Sequence, residues 1–126
     1  MHGLHLTADL QGCRADNPLM TDVNLLTQRC LDIVATARLH AVGQCFHAFP
    51  DLAPGQAGGV TGMVLLAESH LAVHTWPESG VVTLDVFVCN RGSDNSAAAH
   101  QVVNQLLHEF KPGRCQVQEV PRIAQK

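Results

Sequence analysis

Eleven consecutive residues, Glu68-Ser69-His70-Leu71-Ala72-Val73-His74-Thr75-Trp76-Pro77-Glu78, gather more reactive groups than any other stretch of the chain. They bring together the Ser69 hydroxyl, two imidazoles, two carboxylates, the only tryptophan and a proline. They follow the apolar run Met63 to Ala67, so the chain leaves a buried strand and at once presents polar groups. Taken singly, each fits an edge strand whose polar residues face water. Taken together they do not, because local rules are broken jointly where function demands it. Imidazole titrates near neutrality, which makes His74 a candidate proton shuttle. Ser69 and His74 are five positions apart, so an unbulged strand points them to opposite faces and keeps them from meeting in one site. A bulge between them would undo that argument.

This string resembles the processing and active-site segment of the bacterial and archaeal S-adenosylmethionine decarboxylases, which cut their own chain before a serine in E-S-H and continue with H-T-W-P-E. The matching residues are Glu68, Ser69 and His70, then His74, Thr75, Trp76, Pro77 and Glu78. Further agreement lies in Gly3-Leu4-His5, Asp9 and Cys13, in Phe46-His47-Ala48-Phe49, and in Asp85-Val86-Phe87-Val88-Cys89, fading toward the C-terminus.

Removing a carboxylate from an amino acid leaves electrons on the α carbon that no ordinary side chain can accept. Such enzymes borrow a carbonyl that forms a Schiff base with the substrate amine, from pyridoxal phosphate or from a pyruvoyl group made from the chain. The resemblance implies the pyruvoyl group, generated from Ser69 by autocatalytic cleavage at Glu68-Ser69 into fragments 1–68 and 69–126. It also implies roles for individual residues: Thr61 supports processing, His74 moves the proton, Cys89 returns a proton to the α carbon, Phe49 stacks on adenine and Glu78 accepts from a ribose diol. The family's site is shared across a homodimer, with Ser69 and Cys89 from one protomer facing Phe49, Thr61, His74 and Glu78 from the other. The implied reaction is decarboxylation of S-adenosylmethionine for spermidine biosynthesis, with no metal. Thr61 stands in place of a usual serine, Ser79 of an aromatic and Asn90 of a glycine, and the loop from Pro50 to Gly59 is longer. Relatives on this scaffold decarboxylate ornithine or arginine, so those substrates stay open.

The elements that must position these groups follow from periodicity. Gly3 to Leu10 alternates as a strand. Thr21 is expected to cap a helix whose stripe is Leu26, Cys30, Ile33, Val34, Ala37 and Ala41, ended by Gly43. Gln44 to Phe49 reads as a strand, followed by the breaker-rich loop Pro50 to Gly59. Val60 to Ala67 reads as a strand buried on both faces, His70 to Thr75 as the next, and Val81 to Cys89 as one with an aliphatic face and a mixed face. Asp94 or Ser93 should cap a second helix with a stripe from Ala99 to Phe110, stopped by Pro112-Gly113. Cys115 to Val120 is the last strand and Ile123 to Lys126 a frayed tail. The order β-α-β-β-β-β-α-β predicts an α+β fold, a two-layer α/β sandwich with both helices on one face of a mainly antiparallel sheet. A second copy is the cheapest cover for the other face.

The 126 residues suit a single domain, 1–126. Apolar residues make up 46% and charged ones 15%, a low charge content that points to surface buried in an oligomer. A net charge of -3 argues against nucleic acid, no apolar run is long enough to span a bilayer, and no charged-then-apolar leader begins the chain, so a soluble cytoplasmic protein is expected. The five cysteines are odd in number and irregularly spaced, which signals neither a disulfide scaffold nor a zinc ribbon. A metal module built on His70 and His74 lacks clustered partners. An unprocessed scaffold is the remaining alternative.

Overall fold

In the strand Val81–Cys89, the side chains of Val82, Leu84, Val86 and Val88 are buried, while Val81, Thr83, Asp85 and Phe87 are half-buried on the opposite face. This alternation recurs across the sheet and defines the two layers. A computed structural model describes residues 1–123. In chain order the elements are β1 (Gly3–Gln11), a single 3-10 turn (Pro18–Met20), α1 (Val23–Thr36), β2 (Ala41–Ala48), β3 (Val60–Leu66), β4 (Ser69–Trp76), β5 (Val81–Cys89), α2 (Ser96–Phe110) and β6 (Arg114–Arg122). The six strands form one sheet in the order β2-β3-β4-β5-β1-β6, and every pairing is antiparallel. Both helices lie on one face. Leu26, Cys30, Ile33 and Val34 of α1, with Val102, Val103, Leu106 and Phe110 of α2, share one core with Leu6, Val64, Leu71, Val73, Leu84 and Val86 of the sheet. Each such side chain removed from water is worth about 1.5–3 kcal/mol.

The predicted α+β sandwich is therefore the observed one, with several local corrections. Thr21 does not cap α1. It closes the 3-10 turn, and Asp22 is the cap, its carboxylate accepting from the Leu25 N–H at 3.0 Å. Gly43 does not end the helix, which stops at Thr36; Arg38 turns the chain with φ 64°, and Gly43 lies within β2 opposite Leu65. The expected helical stripe ends short of Ala41, which opens β2 instead; Phe46 is the β2 residue packed against the core, its ring lying where a Cβ on Gly62 would sit 2.0 Å away.

β3 is buried on one face only. Val60, Val64 and Leu66 are in the core, whereas Met63 and Leu65 project from the open face, exposed by 39% and 49%. A continuous apolar run thus reports two different apolar surfaces. At the start of α2 the cap position is Asn95, with Asp94 accepting from the Ser96 N–H at 2.9 Å. Lys111, left-handed at φ 47°, ends α2 just before Pro112. The last strand is longer than predicted at both ends, and Ala124 to Lys126 of the expected tail lie outside the described residues. Among the described residues, no helix is long and apolar enough to cross a membrane.

Candidate active site

β3 and β4 are joined by a two-residue turn, Ala67-Glu68, with Leu66 paired to Ser69. Glu68 takes φ 55°, a left-handed conformation that costs a non-glycine residue about 1–2 kcal/mol. The strain falls on the residue immediately before Ser69. The Ser69 Oγ accepts from the Cys89 N–H at 3.0 Å, and the Cys89 thiol donates to the Glu68 carboxylate at 3.4 Å. Antiparallel pairing of β4 with β5 creates this cluster by laying the start of one strand against the end of the other. Cys89 is 5% exposed and its Sγ also accepts from the Arg91 N–H at 3.4 Å. Burial among apolar groups pushes the Cys30 thiol up to about 12, which makes it an inert packing residue.

A second cluster lies at the other end of β4. Thr61 faces His74 across β3 and β4, and the Thr61 Oγ1 is 3.0 Å from the His74 Nδ1. The His74 ring stacks on Trp76 with centroids 5.9 Å apart, and Phe49 packs edge-on against His47 at 4.7 Å. A cavity of about 640 Å³ opens here, walled by Phe49, Asp51, Thr61, His74, Trp76 and Glu78 among others. Two buried details fix its floor. The Thr75 hydroxyl donates to the Met20 carbonyl and accepts from the Val60 N–H, both at 2.8 Å. Gly59 lets the loop descend onto β4, because a Cβ there would sit 2.0 Å from the Thr75 carbonyl oxygen.

The structure thus brings Ser69, Cys89 and Glu68 together, and separately Phe49, Thr61, His74 and Glu78; it does not join the two groups within one chain. β4 pairs with both neighbours without a register shift, so the five-residue separation of Ser69 and His74 stands as opposite parity and about 16 Å of strand. The sequence reading missed Asp51 and Trp76 as cavity walls and Thr75 as the floor. Trp76 was accessible from parity with His74, two positions back; Asp51 carried no signal of its own, only its place in a long, breaker-rich loop expected beside the substrate pocket.

Between the two clusters the open face carries a titratable group of its own. The His5 Nε2 lies 3.2 Å from an Asp85 carboxylate oxygen, and His5 and His70 have ring centroids 6.2 Å apart. Burial is the main cause of a lowered His70 pKa; the neighbouring His5 adds to it and Asp85 opposes it.

Residues 4–123 match the family model described as S-adenosylmethionine decarboxylase. Curated relatives named S-adenosylmethionine decarboxylase proenzyme include one from Acidithiobacillus ferrooxidans, 34% identical over 120 residues that cover 95% of this chain and 81% of the relative. Another, from Aquifex aeolicus, is 38% identical over 105 residues, covering 82% of this chain and 71% of the relative. Among solved structures, the adenosylmethionine decarboxylase from Aquifex aeolicus superposes with a TM-score of 0.82 at 31% identity, covering 98% of this chain and 92% of that one. The chain belongs to the S-adenosylmethionine decarboxylase family, and it is a decarboxylase by that membership.

Proposed function

We propose that the chain is a self-processing proenzyme that decarboxylates S-adenosylmethionine through a pyruvoyl group derived from Ser69. The observation that carries this reading is the Glu68-Ser69 junction, where a glutamate at φ 55° precedes a serine whose Oγ is already held by the Cys89 N–H. An amide is a poor electrophile, and backbone strain at the scissile link lowers the cost of distorting it.

In processing, the Ser69 Oγ attacks the Glu68 carbonyl carbon, the Glu68-Ser69 C–N bond breaks, and an ester with a free Ser69 amine results. Loss of the Ser69 α proton expels the Glu68 carboxylate and leaves a dehydroalanine. Its imine tautomer takes up water and releases ammonia, leaving a ketone at the head of residues 69–126 and a carboxylate at the end of 1–68. His74 fits the proton transfers by chemistry, held in orientation by Thr61. The residues present suit such a ketone: a small side chain at a β-strand terminus, with the Cys89 N–H already on its oxygen at 3.0 Å.

The pyruvoyl ketone supplies an electron sink for the pair left when carbon dioxide departs. Cys89 would return a proton; supporting this, its N–H bonds the Ser69 Oγ and its thiol reaches the Glu68 carboxylate. Phe49, exposed over half its surface at the cavity wall, offers a flat face for adenine, and Glu78 an acceptor for ribose. Because these groups lie at the opposite end of β4 from Ser69, the reading requires a homodimer in which each site draws on both protomers. The open face with Met63, Leu65, Trp76 and Val120 is the apolar surface such a pairing would bury. The product would feed spermidine biosynthesis in the cytoplasm, from one self-cleaving unit spanning 1–126. Decarboxylation of ornithine or arginine is the second reading, favoured by the two carboxylates of the cavity, Asp51 and Glu78.

The test is mass spectrometry of freshly purified protein, followed by carbon dioxide release from each labelled substrate. Two fragments, 1–68 and 69–126, with a ketone in place of the serine, are expected, and Ser69→Ala should abolish the cut. One uncut polypeptide with an ordinary Ser69 would overturn the reading.

A further inference from the structure

The loop after β2 is a built structure. The Phe49 N–H bonds the Gly59 carbonyl and the Leu52 N–H the Gln56 carbonyl, both at 2.9 Å, and Ala53 bridges Gln56. Its two limbs close on each other at Gly58, where a Cβ would sit 2.3 Å from the Pro50 carbonyl oxygen. This closure holds Asp51 at the wall of the cavity, two residues beyond Phe49. Asp51 and Glu78 bring two carboxylates to that wall, which has neither lysine nor arginine among the described residues, while Phe49 and Trp76 give it aromatic faces. A concave, partly apolar site with a negative field favours a ligand that is apolar in body and positive in charge.

We propose that Asp51 is a specificity-determining residue, its carboxylate selecting substrates that carry a positive charge away from the reacting amino-acid carbon. The inference rests on the cavity being the substrate site of the proposed decarboxylase, and names the charge that this site reads. A sulfonium meets the requirement, and so does the distal cation of a diamino acid. The aromatic faces add cation–π attraction that is indifferent to which cation is presented; Asp51 adds a point charge that vanishes on conversion to an amide.

The experiment uses the 126-residue chain with Ser69→Ala, which lacks the source of the ketone and so cannot turn substrate over, with and without Asp51→Asn. Calorimetry compares two pairs of probes differing in charge at the distal position: S-adenosylmethionine against its thioether S-adenosylhomocysteine, and arginine against its uncharged isostere citrulline. Asp51→Asn should weaken the charged member of at least one pair about fivefold while sparing its neutral partner, as for a partly exposed ion pair. The gap should narrow in high salt, and Asp51→Glu should restore it. Unchanged ratios for both pairs, or equal weakening of both members, would overturn the assignment. An uncut parent chain by mass spectrometry would instead count against the self-processing reading, leaving the charge preference to be judged on binding alone.

Discussion

The Thr61 hydroxyl and the His74 Nδ1 face each other across β3 and β4 at 3.0 Å. The bond fixes the tilt of the imidazole and the nitrogen left to act on a substrate or a partner's chain. Thr61→Val keeps the shape and removes the hydroxyl. We expect it to slow self-cleavage about tenfold, the worth of one net side-chain hydrogen bond, and Thr61→Ser to restore the rate. Coexpression with Ser69→Ala makes the test sharper. If the site is shared, a Thr61→Val chain paired with a Ser69→Ala chain meets an intact Thr61–His74 pair from its partner and cleaves at the parent rate. Cleavage that stays slow in mixed pairs would mean that each chain processes itself alone.

Cys89 holds the junction of residues 68 and 69 in two ways, through its N–H to the Ser69 Oγ and its thiol to the Glu68 carboxylate. Only the thiol is lost in Cys89→Ala. The variant should therefore still cut between 68 and 69, because the backbone donor survives, yet turn over about 10²–10⁴ times more slowly if the thiol is the proton donor. Fragment masses and carbon dioxide release measure the two separately. Turnover at the parent rate would show that another group returns the proton.

How much of this was readable in the letters depended on whether a signal was periodic. The mixed and aliphatic faces of Val81 to Cys89 were legible because alternation there maps directly onto the two layers. The parity of Ser69 and His74 was legible for the same reason. β3 misled because Met63 and Leu65 are as apolar as Val64, and only the sheet's open face distinguishes them. The end of α1 misled because Arg38, a non-glycine residue at φ 64°, does the turning that Gly43 was expected to do. Asp51 could not have been found, since its place at the cavity depends on a loop closed by backbone bonds from Phe49 to Gly59.

Thr75 is the one buried polar residue of the core among the described residues, 4% exposed. Its hydroxyl satisfies two main-chain groups from different parts of the chain, the Met20 carbonyl and the Val60 N–H. Thr75→Val preserves volume and leaves both unpaired. The expected loss is about 1–3 kcal/mol for each group that water does not reach, read as a lower urea midpoint at unchanged m-value in the uncut Ser69→Ala background. Thr75→Ser should recover most of it. A Thr75→Val chain as stable as its parent would mean that water replaces the hydroxyl.

His70 gives the fold a pH dependence whose sign follows from its surroundings. Its folded pKa lies below the ordinary 6.5, chiefly because burial disfavours the imidazolium, with His5 adding repulsion and Asp85 partly offsetting it. The unfolded chain therefore binds the proton more readily than the folded one. Stability from this group is fully present above pH 6.5 and is lost as the pH falls through the folded pKa. Urea unfolding of the Ser69→Ala chain between pH 7.5 and about 5 should show this decline, at low protein concentration so that any self-association does not add to it. His70→Gln keeps a polar side chain of similar reach without the titration, and should flatten the slope in that window. Should the slope be the same with glutamine at position 70, the decline belongs to another histidine, with the His5–Asp85 pair the next to substitute.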